Sequence, residues 1–278
     1  PARLGLAFVA GGLSLLMLAV WFLAPVDARD VSLIFCVGVG MSILYGVGAY
    51  ALAWGSPAPA WWAGLSAGVP FLALLLTRGL LRAWDTPWLW GAVCLAVGLG
   101  YGLAAMPALR LRERLPGRSA TAAVLVSTAW LYAMLAALLE LHYEWLGMAW
   151  AALIPGVACT GWRLRLSALR WVSLTLAVGV LALIVPTLTD WNESNSAPVL
   201  FNSLLLAWGL ALAALAGAAC IYHSCRDALL ACSCTILAIV LAWALLSGQV
   251  HHGIPAELRP DDWWESPIPW LEFGLYVV

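Results

Sequence analysis

RLRERLPGRSATAAVLVSTAWLYAMLAALLE, residues 110–140, is the stretch that decides the fold. It opens on Arg110, Arg112, Arg114 and Arg118 around a single acid, Glu113, and then runs apolar to Glu140. A hydrocarbon core about 30 Å thick is crossed by roughly 20 apolar residues in a helix, and this run is that long. Reading outward, the next polar connection carries Glu140 and Glu144 and no Arg. The one after carries Arg163, Arg165 and Arg170 and no acid, and the next carries Asp190 and Glu193 and no Arg. Apolar runs separated by short connections of alternating sign describe a polytopic membrane protein.

Composition agrees. Of 278 residues, 64% are hydrophobic and 10% charged, against about 45–50% and about 25% in a soluble domain. A chain of this length has too little interior to absorb that excess, so it faces lipid. The runs are continuous, unlike the roughly ten-residue alternating strands of a barrel. The expected fold is an all-α polytopic transmembrane bundle with spans at 4–24, 31–54, 61–80, 88–107, 120–140, 145–162, 169–188, 198–222, 226–247 and 266–278. Short connections make these about ten spans a series of antiparallel hairpins, and Pro155-Gly156 predicts a kink in the sixth. Residues 1–278 read as one transmembrane helical domain. The first residue, Pro1, and the last, Val278, inside an apolar run, read as the ends of a fragment of a longer protein.

Orientation follows from the cations, all of them Arg, a bias read as compositional. One side collects Arg3, Arg110, Arg112, Arg114, Arg118, Arg163, Arg165, Arg170 and Arg226; the other collects Arg29, Arg78, Arg82 and Arg259. The Arg-rich side is cytoplasmic, which puts the N-terminus inside. Trp54, Trp61, Trp62, Trp162 and Trp171 near the inner boundaries, and Trp84, Trp88, Trp90 and Trp145 near the outer ones, are expected as interfacial anchors. A net charge of −1 gives no basic field for nucleic acid. The expected partners are membrane lipid and other envelope proteins, in the bacterial inner membrane.

Spans one to nine hold no ionisable side chain at mid-depth, Glu272 lies in the tenth a few residues from its outer end, and the polar side chains considered are Ser127, Thr128, Ser173, Thr175, Asn202 and Thr235. Ion-coupled carriers keep carboxylates or His in the bundle, so this composition argues against that class. Polar chemistry is therefore sought on the outer face. Glu140, His142 and Glu144 form an E-x-H-x-E run; on one helix the two carboxylates share a face and His142 points elsewhere. His251 and His252 open the longest outer connection, which also carries Asp261, Asp262 and Glu265. Imidazole with carboxylate suits zinc-type ions, but the spacing matches no zinc motif. These residues are candidate catalytic groups, with no metal and no cofactor assigned. Asp27-x-x-Asp30, in the first outer connection, is a thin match to the acidic motif of membrane glycosyltransferases. Cys220, His223 and Cys225 lack a fourth ligand, and the seven Cys read as packing residues, none in an outer connection. No P-loop, dinucleotide fingerprint or nucleophile elbow occurs.

Glu144-Trp145-Leu146-Gly147-Met148-Ala149-Trp150, Gly161-Trp162-Arg163-Leu164-Arg165 and Pro198-Val199-Leu200-Phe201-Asn202, with His252-Gly253 before an acidic stretch and Trp263, are similar to the bacterial domain of unknown function 2339 family of multi-span membrane proteins. The resemblance lies mainly in the C-terminal half; the first 120 residues agree in character. It implies a longer parent chain with further spans and a cytoplasmic N-terminal segment, and no activity. In that family a Glu often follows the Trp-Ala pair of the sixth span, and Trp150-Ala151-Ala152-Leu153-Ile154-Pro155 has none.

Three functions follow from this reading. The first is a non-catalytic envelope scaffold or assembly module, favoured by the missing intramembrane charges and motifs. The second is a transporter or lipid/glycan-handling protein with an uncharged substrate path. The third is an envelope enzyme using the acids and His of the outer face.

Overall fold

The computed structural model describes residues 2–21, 30–81, 90–115, 117–141, 143–190 and 203–253. Among them are nine α-helices and no strand: α1 (Ala2–Val20), α2 (Asp30–Gly55), α3 (Pro59–Leu80), α4 (Trp90–Leu111), α5 (Arg118–Glu140), α6 (Tyr143–Leu164), α7 (Leu169–Asp190), α8 (Ser203–Ser224) and α9 (Ala228–Gly253). They fall on the first nine expected spans; the tenth, 266–278, lies outside the described residues. Seven of the helices are long and apolar enough to cross a membrane, and α7 and α8 carry shorter apolar stretches, Leu169–Val180 and Trp208–Ser224. Every Asp, Glu, Arg and His within the nine helices lies within three residues of an end. That is the distribution expected where a charge at the bilayer centre costs several kcal/mol.

The helices begin and end on local signals. Pro59 occupies the first position of α3, where its missing N–H costs nothing. Asp227 caps α9, its Oδ1 accepting from the Leu230 N–H at 3.5 Å. Gly117 holds φ +78° at the entry to α5, a left-handed conformation that glycine adopts without a Cβ penalty. A Cβ there would also sit 2.9 Å from Pro59 Cγ. Despite Pro155, α6 runs as one helix from Tyr143 to Leu164.

The helices group into two compact units, Pro1–Ala136 with Leu166–Ala168, and Ala137–Arg165 with Leu169–Val278. In the first, α3 is the central element, burying Trp62, Ala63, Leu65, Ser66, Val69, Pro70, Ala73 and Thr77. A Cβ at Gly11 of α1 would lie 3.1 Å from Val69, and Phe8 meets Trp61 edge-on. On α2, Gly38 meets Thr77 and Gly46 meets Pro70, so α2 and α3 run in opposite directions. Tyr101 of α4 donates to the Ser66 carbonyl and stacks on Tyr132 of α5.

In the second unit α6 packs against both α7 and α8; α6 buries Ala151, Ile154, Val157 and Ala158, α7 buries Val180, and α8 buries Trp208, Ala211, Leu215 and Ala218. Close approach comes from glycine. A Cβ at Gly147 would lie 2.9 Å from the Trp208 ring, and one at Gly179 would lie 2.3 Å from the Trp150 ring. Hydroxyls of Ser173 and Tyr222 bond each other inside the unit, and Arg170 pairs with Asp227.

The Arg170–Asp227 pair carries a pH prediction. Hydrogen bonding from the Arg170 guanidinium holds the Asp227 carboxyl below the usual carboxylate range. A depressed folded-state pKa gives stability that is present above the unfolded value near 3.9 and is lost as pH falls through the folded one. Thermal midpoints of wild type and Asp227→Asn should therefore differ at pH 7 and converge in acid, as pH falls through the depressed Asp227 pKa. Half-exposed Arg170 makes the difference small and salt-sensitive. A gap that is constant over this pH range would show that the difference does not come from the Asp227 charge.

Candidate functional site

Within the first unit, α2 and α4 touch at two levels and separate between them. At one level Phe35 meets Trp90 edge-on, ring centroids 6.5 Å apart. At the other, the Tyr50 hydroxyl donates to the Ala104 carbonyl at 3.0 Å. Fifteen residues of α2 separate these contacts, about 22 Å at 1.5 Å per residue. Between them lies a cleft of about 510 Å³, within the roughly 300–1,000 Å³ typical of ligand sites.

Its wall is almost wholly apolar. Gly38, Gly46 and Gly100 lie on it, Gly38 and Gly46 where α2 comes close to Thr77 and Pro70 of α3; Leu74 of α3 and Tyr132 of α5 also line it. Val39, Ile43 and Val47 of α2 and Val93 of α4 also line it and are exposed on the unit's surface, so the cleft opens sideways. At Gly100 a Cβ would meet nothing within 4 Å.

Two polar features mark the Phe35–Trp90 end. Arg78 lays its guanidinium over the Trp90 ring, 5.9 Å from the centroid. Thr77, 4% exposed, is turned toward Gly38, its Oγ1 occupying the space a Cβ at residue 38 would need. Among the described residues that oxygen is buried without a hydrogen-bond partner.

A different arrangement closes the far end of α2. Arg118, the first residue of α5, is 5% exposed. It donates to the Ala53 and Trp54 carbonyls at 3.2 and 2.9 Å and lies 4.3 Å over the Trp54 ring. These are last-turn carbonyls of α2, at the negative end of its dipole.

A family model described as "Predicted membrane protein (DUF2339)" matches residues 2–277. The chain belongs to that family. No curated protein and no solved structure matches it. Membership in DUF2339 extends the resemblance seen in the C-terminal half across the first 120 residues, which supply every lining residue of the cleft but Tyr132.

The residues expected to carry chemistry are placed as follows. Glu140 is exposed at the last position of α5. His142 lies outside the described residues, and of Glu144 only the backbone, in the first turn of α6, is described. The E-x-H-x-E run therefore straddles a helix break between Glu140 and Tyr143, and the shared helical face its spacing implied does not form. His251 and His252 sit in the last turn of α9 with undescribed side chains, and Asp261 and Asp262 lie outside the described residues. Among the described residues no three His, Cys, Asp or Glu side chains gather at metal-binding distance. Cys220 and His223 line a separate depression of about 490 Å³ between α8 and α9.

Sequence reasoning missed the cleft. It took Trp62, Trp90 and Trp54 for interfacial anchors, but Trp62 and Trp90 are buried, and Trp54 lies under Arg118. Trp61, Trp162 and Trp171 are exposed, as an anchor requires. The available signal was the glycine series Gly38, Gly46 and Gly100, which close helix packing also explains.

Proposed function

We propose that this chain is a non-catalytic module of the bacterial inner membrane that takes up the hydrocarbon chain of a lipid laterally, between α2 and α4. The observation that carries this is the sideways-opening apolar cleft bounded at both ends by cross-helix contacts. Its lining is apolar and it opens on the surface where Val39, Ile43 and Val47 are exposed, so an acyl chain of the surrounding bilayer matches it in chemistry and can enter it from the side, which favours lipid handling for this face. The accompanying topology is about ten spans in successive antiparallel hairpins with a cytoplasmic N-terminus, supported by the Arg distribution.

Gly100→Leu sends a branched side chain into the cleft from a position where a Cβ meets nothing within 4 Å. Gly48→Leu is the control: a Cβ there also meets nothing within 4 Å, and Gly48 is off the cleft wall. Native mass spectrometry of the purified protein after mild delipidation should show retained lipid in wild type and Gly48→Leu. In Gly100→Leu the retained lipid should fall about tenfold, as two displaced methylenes cost about 1.6 kcal/mol. Equal retention in all three would sink the reading. Reporter fusions at Gly117 and Glu193 should report cytoplasm and exterior respectively; the same side for both would break the topology.

A further inference from the structure

We propose that the cleft selects an anionic phospholipid, its phosphate on Arg78 beside Trp90 and one extended acyl chain along the wall of Gly38, Gly46 and Gly100. This rests on the lipid-binding reading above and adds the headgroup chemistry.

The charge sits where a headgroup would. Arg78 is two residues from the end of α3, so it lies at the edge of the apolar segment while the cleft runs inward from it. Partly exposed, it is held by the Trp90 ring, and among the described residues no carboxylate pairs with it. The positive end of the α4 dipole opens beside it, since Trp90 is the first residue of α4. A guanidinium offers several donors in a planar fork that matches phosphate oxygens, and a ring beneath it fixes its plane without using those donors.

Beyond the far end of the cleft the cation is Arg118, and it is buried and already spent on the Ala53 and Trp54 carbonyls. There the Tyr50 hydroxyl is already spent on the Ala104 carbonyl. The site is therefore polarised, charged at one end and apolar along its length, as a phospholipid with one extended chain is. Thr77 adds to the same end. Its Oγ1 is the one buried side-chain oxygen or nitrogen without a partner among the described residues, on the cleft wall and one position before Arg78. A rotation of this hydroxyl away from Gly38 presents a donor to the ester oxygen that follows a lipid phosphate.

The test uses purified, delipidated protein and two probes of equal chain length, phosphatidylglycerol and phosphatidylcholine, read by native mass spectrometry. Wild type should hold phosphatidylglycerol in preference to phosphatidylcholine. Arg78→Gln should lower phosphatidylglycerol binding roughly fivefold, the worth of one cation near a charged headgroup, and leave phosphatidylcholine binding unchanged. Gly100→Leu should lower both. If Gly100→Leu lowers both lipids but Arg78→Gln preserves the preference, the headgroup assignment is wrong while the cleft reading survives. If Gly100→Leu changes neither, the cleft reading itself fails. Inorganic phosphate at millimolar concentration should not displace the lipid; displacement would mean that Arg78 binds free phosphate and that the acyl chain contributes nothing. A dimer lost in Gly100→Leu, with no lipid effect, would assign the cleft to a second copy of the chain and overturn the proposal.

Discussion

Gly179→Ala is expected to destabilise the second unit by about 3 kcal/mol, at the upper end of what overpacking a tight interior costs. The added methyl would sit 2.3 Å from Cζ3 and 2.5 Å from Cε3 of Trp150. No real Cβ tolerates such a contact, so either the indole leaves its place or α6 and α7 move apart. Both outcomes disturb a core in which Ala151, Ile154, Leu176 and Val180 are fully buried. In a bilayer the loss is not softened by water, because helix association depends on close packing and the surrounding tails are as apolar as the side chains. Glycine-to-alanine exchange within a helix is otherwise favourable by about 1 kcal/mol. Gly209→Ala and Gly217→Ala, whose Cβ positions meet nothing within 4 Å, should therefore be neutral or slightly stabilising. Thermal unfolding in detergent monitored by tryptophan emission separates the cases. Trp150→Leu should rescue Gly179→Ala, giving a coupling energy of the same sign and comparable size. Equal losses at Gly179 and Gly209 would show that helix flexibility, and not the Trp150 contact, is what glycine supplies.

The contrast between Gly179 and Gly209 shows where sequence reading succeeds and where it stops. Charge cannot rest in hydrocarbon, so Arg110 to Arg118, Glu140, Arg163 and Asp227 mark helix ends, and nine helices were legible from those marks. Burial leaves no such mark. A soluble helix advertises its inner face by hydrophobic period, but a helix that is apolar all round does not. Leu215, fully buried, and Leu210, 55% exposed, are the same letter in the same run. What distinguishes the faces here is size, with Gly11, Gly38, Gly98, Gly147 and Gly179 at tight approaches while other glycines face open space. The cleft escaped for the same reason: its wall is made of apolar residues that read like the rest of their runs. The outer-face candidates could be named from the sequence, but Asp261 and Asp262 lie outside the described residues, and the helix break after Glu140 removes the face that Glu144 was to share.

Arg118 carries the second large effect. Read as sequence, it is one of nine arginines on the proposed cytoplasmic side and interchangeable with the rest. The structure gives it work that the positive-inside rule does not describe. Four carbonyls at the end of a helix have no partner within it, and burying them unpaired costs about 1–3 kcal/mol each. Arg118 answers two of them, at Ala53 and Trp54, and covers the Trp54 ring from 4.3 Å. Arg118→Ala is expected to cost about 2–4 kcal/mol, from two charge-assisted bonds and a cation–π contact. Arg118→Lys should recover less than half, because an ammonium cannot span both carbonyls and lie flat on the indole. Arg114→Ala is the control, since Arg114 is exposed in the same connection and its loss removes the same charge. Thermal midpoints should fall steeply for Arg118→Ala and stay within about 0.5 kcal/mol of wild type for Arg114→Ala. Reporter fusions should show unchanged topology in both, because eight of the nine arginines remain. Matching losses in the two variants would return Arg118 to the status of a topological charge. A loss confined to Arg118 instead makes the α4–α5 connection a structural clamp on α2, the helix that forms one wall of the cleft.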